Sequence, residues 1–316
     1  MSDPGTSAQV HAWSDWTLDE LVAAKAGQRV SLVIPARDEA ATVGRVTSAL
    51  VREWIDRVPL VDEVVVVDSD SVDDTAAVAR AAGAAVVSAK DVRPDLGPAE
   101  GKGEALWKAL FATDGDLLAF IDADLVEWEP HFVPGLLGPL LTDPAVHLVK
   151  AVYDRPLLDA DGREAESGGR VTELVARPLL ALHWPELAGI VQPLSGEWAV
   201  RRSAFEALSV PMGYGVEIAA LVDVAAAHGP GAIAQVDLGR RAHRHHRHDT
   251  LGPMAVQILA AADARLGRRV PAREPEYVDL VQFDSRATGF AARTRRPNIG
   301  ERTPAISVPG YRGGER

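Results

Sequence analysis

The chain has 316 residues, 47% of them hydrophobic and 25% charged, the proportions of a globular protein that buries one large core, or a core with a smaller lobe. Its formal net charge of −12 sets the overall field against nucleic acid and anionic membrane, and without cysteine it has no disulfide, thiolate chemistry or cysteine-type zinc site. The opening Met1-Ser2-Asp3-Pro4-Gly5-Thr6-Ser7 lacks the basic and apolar regions of a signal peptide, and no later apolar run is long enough to span a bilayer, so the cytoplasm is the expected setting.

The Trp-rich stretch His11 to Trp16 carries no catalytic pattern and is expected to pack as a cap, within an N-terminal region 1–28. Val30 to Ile34 reads as a short buried strand closed by Pro35, and Val43, Val46, Leu50 and Ile55 have helical spacing. Val64-Val65-Val66-Val67 predicts a second strand, Asp74 to Ala82 a helix stopped by Gly83, and Ala85-Val86-Val87 a third strand. Leu117 to Ile121 and Val146 to Lys150 continue the series of apolar strands. Continuous apolar strands between helices imply a mostly parallel sheet covered on both faces, here over residues 29–150.

Ligands of such sheets bind outside the carboxyl ends of the strands, where the polar residues of this half collect. They are Pro35 to Glu39, Asp68-Ser69-Asp70-Ser71, and Asp122-Ala123-Asp124. Asp and Ser also serve as turn and N-cap residues, and the second cluster fits that role as well as ligand contact. In the third, side chains that alternate along an extended chain put Asp122 and Asp124 on one side. Two such carboxylates suit Mg²⁺ or Mn²⁺ carrying a diphosphate, the Asp-x-Asp arrangement of nucleotide-sugar glycosyltransferases; alone, the pair also fits an exposed turn.

Further on, Asp159 to Gly169 reads as a polar loop, followed by a helix from Val171 to His183, a strand near Trp198 to Val200 and a helix from Val216 to Ala227. These imply a second, smaller lobe over residues 151–267. The tail, residues 268–316, is rich in Arg, Gly and Pro after Gln282 and is expected to be extended or partly disordered. The basic run Arg240 to His248 follows the strand-like Ile233 to Leu238 and can reach the same rim as the Asp pair. There an imidazole would complete a metal's coordination and guanidinium groups would neutralise a leaving diphosphate. The competing reading is a solvated basic face. The run lacks clean zinc spacing, so magnesium or manganese is expected.

Several longer strings carry a family resemblance. Gly101-Lys102-Gly103-Glu104-Ala105-Leu106-Trp107, Gly169 to Leu180, Gln192-Pro193-Leu194-Ser195-Gly196-Glu197, Gly213 to Ile218 and Arg241-Ala242-His243-Arg244 resemble the glucosyl-3-phosphoglycerate synthases of actinobacteria. The matches run in order from about residue 30 to 265. The resemblance implies an α/β GT-A glycosyltransferase fold, Rossmann-like with a smaller acceptor-binding lobe, a homodimer, and transfer of glucose from UDP-glucose to D-3-phosphoglycerate with retention. It implies that Pro35, Ala36 and Glu39 meet the uracil, and Ser69, Lys102 and Asp122 the uridine and diphosphate. Asp124 and His243 become the metal ligands for Mg²⁺ or Mn²⁺. Leu194, through its backbone, and Glu217 face the glucose, with Glu217, Arg241 and Asp124 the catalytic set. Gly169, Arg170, Thr172 and His245 hold phosphoglycerate.

The chain departs from the family pattern at Arg37, where an apolar residue is usual, at Ala123 in place of serine, and at His245 in place of asparagine. The alternatives are a mannosyl-3-phosphoglycerate synthase using GDP-mannose, a sugar nucleotidyltransferase, and a nucleotide-sugar binding protein without turnover.

Overall fold

The computed structural model describes residues 10–154, 157–158, 164–165, 169–243, 248–268, 276–286 and 289–312. Among them the largest sheet has eight strands: β1 (Val10–Ala12), β2 (Val30–Ala36), β3 (Glu63–Asp68), β4 (Ala85–Ser88), β5 (Leu117–Phe120), β6 (Leu148–Asp154), β7 (Trp198–Arg201) and β8 (Ile233–Arg240). Their spatial order is β1-β8-β6-β7-β5-β2-β3-β4. All neighbours are parallel except β7, which runs antiparallel to both β5 and β6.

The period of two in the strands feeds two cores. Leu32, Ile34, Val64, Val66, Ala119 and Val149 face one, and Val33, Val65, Val67, Leu118, Phe120 and Leu148 face the other. Helices Leu18–Lys25, Val43–Val51, Thr75–Ala81 and Phe132–Thr142 cover the first face. Helices Lys102–Ala112, Arg177–His183, Val216–His228 and His248–Arg265 cover the second. The later strands β7 and β8 join the same sheet as the strands of the first half, and helices from both halves of the chain stack on its second face.

The chain winds from β2 outward through β3 and β4, then returns to place β5 on the other side of β2. That reversal opens a crevice between the carboxyl ends of β2 and β5, where open α/β sheets bind ligands.

Three local differences from the sequence expectations have physical reasons. Pro35 does not close β2, which continues to Ala36; β5 pairs only with Val30 to Val33, so Pro35 has a ladder neighbour on the β3 side alone, an edge position that tolerates a missing N–H. β5 stops at Phe120, so Asp122 and Asp124 share a cleft because the chain turns there, not because an extended strand alternates. The tail, expected to be extended or partly disordered, forms among its described residues a hairpin of Leu280–Arg286 with Gly289–Arg295, and Glu301–Arg302 pairs with Val210–Pro211. Arg302 binds both oxygens of the buried Glu104 at 2.8 Å, and the Trp107 indole donates to Thr303 O at 2.9 Å. Such single anchors leave no periodic trace in a sequence. No described helix is long and apolar enough to cross a membrane.

Candidate active site

A cleft of about 460 Å³ opens over the β2–β5 crevice. Pro35 and Ala36 end β2 and Glu39 follows it, Ser69 follows β3, and Asp122 and Asp124 stand after β5. Lys102, at the start of its helix, and Tyr214, just before the Val216–His228 helix, close the side toward the second core. Gly101 is required where it is: its φ is +134°, and a Cβ there would strike the Met212 carbonyl.

Asp122 is the hub of a chain of charges. Its Oδ1 receives Lys102 Nζ at 2.7 Å and its Oδ2 receives Arg241 Nη2 at 2.9 Å. Lys102 also pairs with Glu217 Oε1 at 3.0 Å, and Arg241 with Glu197 Oε1 at 2.8 Å. The Tyr153 hydroxyl donates to Glu197 Oε2 at 2.7 Å, and its ring lies 5.1 Å below the Arg241 guanidinium carbon. Arg241 is only 1% exposed, which excludes the solvated-face reading for that residue; Arg240, half exposed, pairs with Glu127 instead.

Burial opposes the charge on Lys102, but Asp122 and Glu217 outweigh it and hold the ammonium well above its ordinary pKa. Burial likewise opposes the charge on Arg241, and Glu197 foremost among its neighbours reverses the effect. Glu197 is pushed up by burial, with Arg241 pulling the other way. The result is alternating charges away from bulk water, where fixed dipoles and ions act strongly on charge that develops in a reaction. Arg241 Nε and Nη1 have no hydrogen-bond partner among the described residues, so two buried donors remain uncommitted beside Asp122.

For a divalent cation the donor set fits. Asp124 lines the cleft, and Ala242–His243 pairs with Leu125–Glu127 so that His243 stands opposite Leu125, the residue after Asp124. A cation held by one carboxylate and one imidazole would keep positions for diphosphate oxygens, the hard ligands that Mg²⁺ and Mn²⁺ prefer.

The other expected site residues fall into three groups. Leu194 is half-buried in the turn between Gln192 and Glu197, beside the Asp122 hub through Gly196, where a Cβ would collide with Asp122 Oδ2 and Lys102 Nζ. Gly169 (φ +111°), Arg170 and Thr172 open the helical segment that runs on to His183, apart from the residues that line the cleft. His245 lies outside the described residues.

The sequence reading gave no role to Glu197, Tyr153, Gln257 or the tail. Gln257 accepts from Tyr214 N at 3.1 Å and donates to Asn298 O at 2.8 Å, tying the Tyr214 loop to the tail, whose Tyr277, Arg296 and Asn298 line the cleft. Glu197 had a signal, an acid directly before the apolar strand Trp198 to Val200. The tail residues had none.

Residues 31–208 match the model of Glycosyl transferase family 2. A glucosyl-3-phosphoglycerate synthase of Mycolicibacterium smegmatis is 46% identical over 300 residues, spanning 94% of this chain and 96% of that protein. The protein of the same name from Mycobacterium tuberculosis is 50% identical over 271 residues, 85% of this chain and 81% of its own. A crystal structure of the Mycobacterium tuberculosis synthase with Mn²⁺, UDP and glucosyl-3-phosphoglycerate superposes with a TM-score of 0.82 at 44% identity, covering 95% of this chain and 98% of that one. Another, with Mn²⁺, UDP-glucose and phosphoglyceric acid, gives a TM-score of 0.82 at 44% identity over 94% of this chain and 98% of that one. A third holds Mg²⁺ and UDP, with a TM-score of 0.83 at 44% identity, covering 95% and 98% of the two chains.

Proposed function

The chain belongs to glycosyl transferase family 2 and, within it, to the glucosyl-3-phosphoglycerate synthases, and from that premise we propose how its own residues transfer glucose from UDP-glucose to D-3-phosphoglycerate. The observation that carries the reading is the Asp122 hub, which brings Lys102, Arg241, Glu217 and Glu197 together at the β2–β5 crevice beside Asp124.

Pro35, Ala36 and Glu39 take the uracil, the Glu39 carboxylate accepting a base N–H, and Ser69 and Lys102 take the uridine and diphosphate. Asp124 and His243 hold Mg²⁺ or Mn²⁺. When bound, the metal stabilises the negative charge that grows on the departing UDP. Arg241 aids this with the two donors it has to spare. Glu217, 5% exposed and paired with Lys102, orients the sugar, as the Leu194 backbone does. A carboxylate bound to an ammonium is a poor nucleophile, which favours attack by the acceptor hydroxyl on the face the diphosphate leaves, with retention and with the leaving phosphate oxygen taking the proton. Gly169, Arg170, Thr172 and His245 hold the phosphate and carboxylate of the acceptor, where charge-assisted hydrogen bonds suit a doubly anionic ligand. Residues 29–150 serve the donor and supply Asp124 to the metal, and residues 151–267 serve the acceptor and complete the metal's coordination through His243.

We assign the homodimer contact to the tail hairpin. Val281, Phe283 and Phe290 share one of its faces by register and are 49%, 67% and 79% exposed, a contiguous apolar patch of the kind that marks a contact surface, while Leu280 and Gln282 on the opposite face approach Gly252 of the His248–Arg265 helix. Sedimentation of Phe283→Asp should show monomers; an unchanged dimer moves the interface elsewhere.

The test of the reaction supplies UDP-, GDP- and ADP-glucose and GDP-mannose with 3-phosphoglycerate and Mg²⁺ or Mn²⁺, and identifies products by mass. Glucosyl-3-phosphoglycerate from UDP-glucose is expected. Binding of UDP-glucose without UDP release would select a binding protein, and pyrophosphate from UTP and a sugar phosphate a nucleotidyltransferase.

A further inference from the structure

Lys150 is a charge in the middle of the sheet. It lies on β6 opposite Trp198 of β7, is 1% exposed, and faces the second core between Leu148 and Trp198. Its Nζ donates to Ser195 O at 2.9 Å and stands 5.7 Å from the Trp198 ring centroid. Among the described residues it has no other hydrogen bond and no carboxylate within ion-pair distance. Glu217, Lys102, Glu197 and Asp122 act on it only through the field.

An arrangement of this kind costs the fold. A buried ammonium with one neutral acceptor loses most of its hydration, and an apolar side chain would pack on Trp198 without that loss. Burial, far more than its neighbours, drives the Lys150 pKa down to about 7. What the side chain gains in return is a hold on one carbonyl. The turn from Gln192 to Glu197 is pinned at its start, where Gln192 Nε2 donates to Tyr153 O at 2.5 Å and Val191 N to Gln235 Oε1 at 2.7 Å. It is pinned at its end by the Glu197–Arg241 pair at 2.8 Å. Between those points, Lys150 is the side chain among the described residues that bonds the turn's backbone. The next residue, Gly196, lies so close to Asp122 and Lys102 that a Cβ would not fit, so a small shift of Ser195 moves the backbone against the hub.

We propose that Lys150 is a positioning residue for glucose transfer: by holding the Ser195 carbonyl it sets the Leu194–Gly196 backbone against Asp122 and the sugar end of the cleft. This rests on the placement of glucose at Leu194 given above. Lys150 itself touches neither substrate.

Lys150→Met keeps the length and packing of the side chain and removes the donor; Lys150→Gln keeps a neutral donor on a shorter arm. In Lys150→Met, kcat for transfer should fall at least about tenfold, while Mn²⁺-dependent binding of UDP, which lacks the sugar, stays within about twofold of wild type. Lys150→Gln should fall between the two. Stability separates this from a structural role. Below about pH 7 the folded wild type carries the buried charge, whereas the unfolded chain keeps its lysine protonated to about pH 10, so wild-type stability rises over that interval. Lys150→Met should therefore melt at least as high as wild type at pH 6, with the gap shrinking toward pH 9. Turnover of Lys150→Met within twofold of wild type overturns the inference alone. So does a variant that loses melting temperature, UDP affinity and turnover together, which would make Lys150 structural. Wild-type protein that transfers nothing would overturn the glycosyltransferase reading and this inference with it.

Discussion

Arg241→Met tests how the buried charges hold one another. Arg241 pairs with Glu197 at 2.8 Å and Asp122 at 2.9 Å. At an effective dielectric of 20 each contact is worth about 6 kcal/mol gross, most of it offset by desolvation, and removal of one partner from a buried pair costs about 3–5 kcal/mol net. Asp122 keeps Lys102, so the damage concentrates on Glu197, which is fully buried and retains the Tyr153 hydroxyl as its hydrogen-bond donor. Burial already raises the Glu197 pKa and Arg241 opposes it, so the variant's carboxyl rises further. The folded variant then holds a proton that the unfolded chain releases near pH 4.3, and its stability falls as pH climbs through the raised pKa. Urea unfolding should show a deficit of about 3–5 kcal/mol near pH 8 and a smaller one near pH 5. Adding Glu197→Gln removes the orphaned charge and should restore most of the stability but not transfer. A deficit below about 1 kcal/mol, one independent of pH, or a double variant weaker than the single would refute the reasoning.

Asp124→Ala should lower transfer at least about a hundredfold with an unchanged melting temperature, since it removes a ligand from a cleft wall and not a core side chain; near-normal turnover in Mg²⁺ would discard the metal site. Arg170→Ala should raise the KM for 3-phosphoglycerate far more than that for UDP-glucose, and equal effects would take Arg170 out of the acceptor site. His243→Ala should weaken Mn²⁺-dependent UDP-glucose binding in calorimetry, while His246→Ala and His248→Ala leave it nearly intact; three alike responses would make the run a diffuse electrostatic patch.

How much was legible in the sequence depended on whether a feature repeats locally. The strands β2, β3, β5 and β6 stand out as apolar runs because a strand buried on both faces leaves few polar positions, and the crevice followed from where those runs end. Helix Phe132–Thr142 was not legible: ten of its eleven residues are buried, so it shows no polar stripe, and Gly135, Gly138 and Pro139 read as breakers. Both glycines are needed because a Cβ would meet Leu238 and Trp13 at Gly135 and Trp16 at Gly138, contacts between segments about a hundred residues apart. Lys102–Ala112 was hidden in the same way, with eight consecutive buried residues that include Glu104 and Lys108. At the site, Asp122, Lys102 and Arg241 could be named singly, but their union could not, because Arg241 reaches Asp122 across 119 residues. Lys150 shows what such a reading passes over. A lysine within Leu148-Val149-Lys150-Ala151-Val152 breaks an apolar strand, and a charge that a buried strand retains at a cost to stability needs a reason outside the fold. Here that reason is a single carbonyl, at Ser195, in a turn that meets the hub of the site.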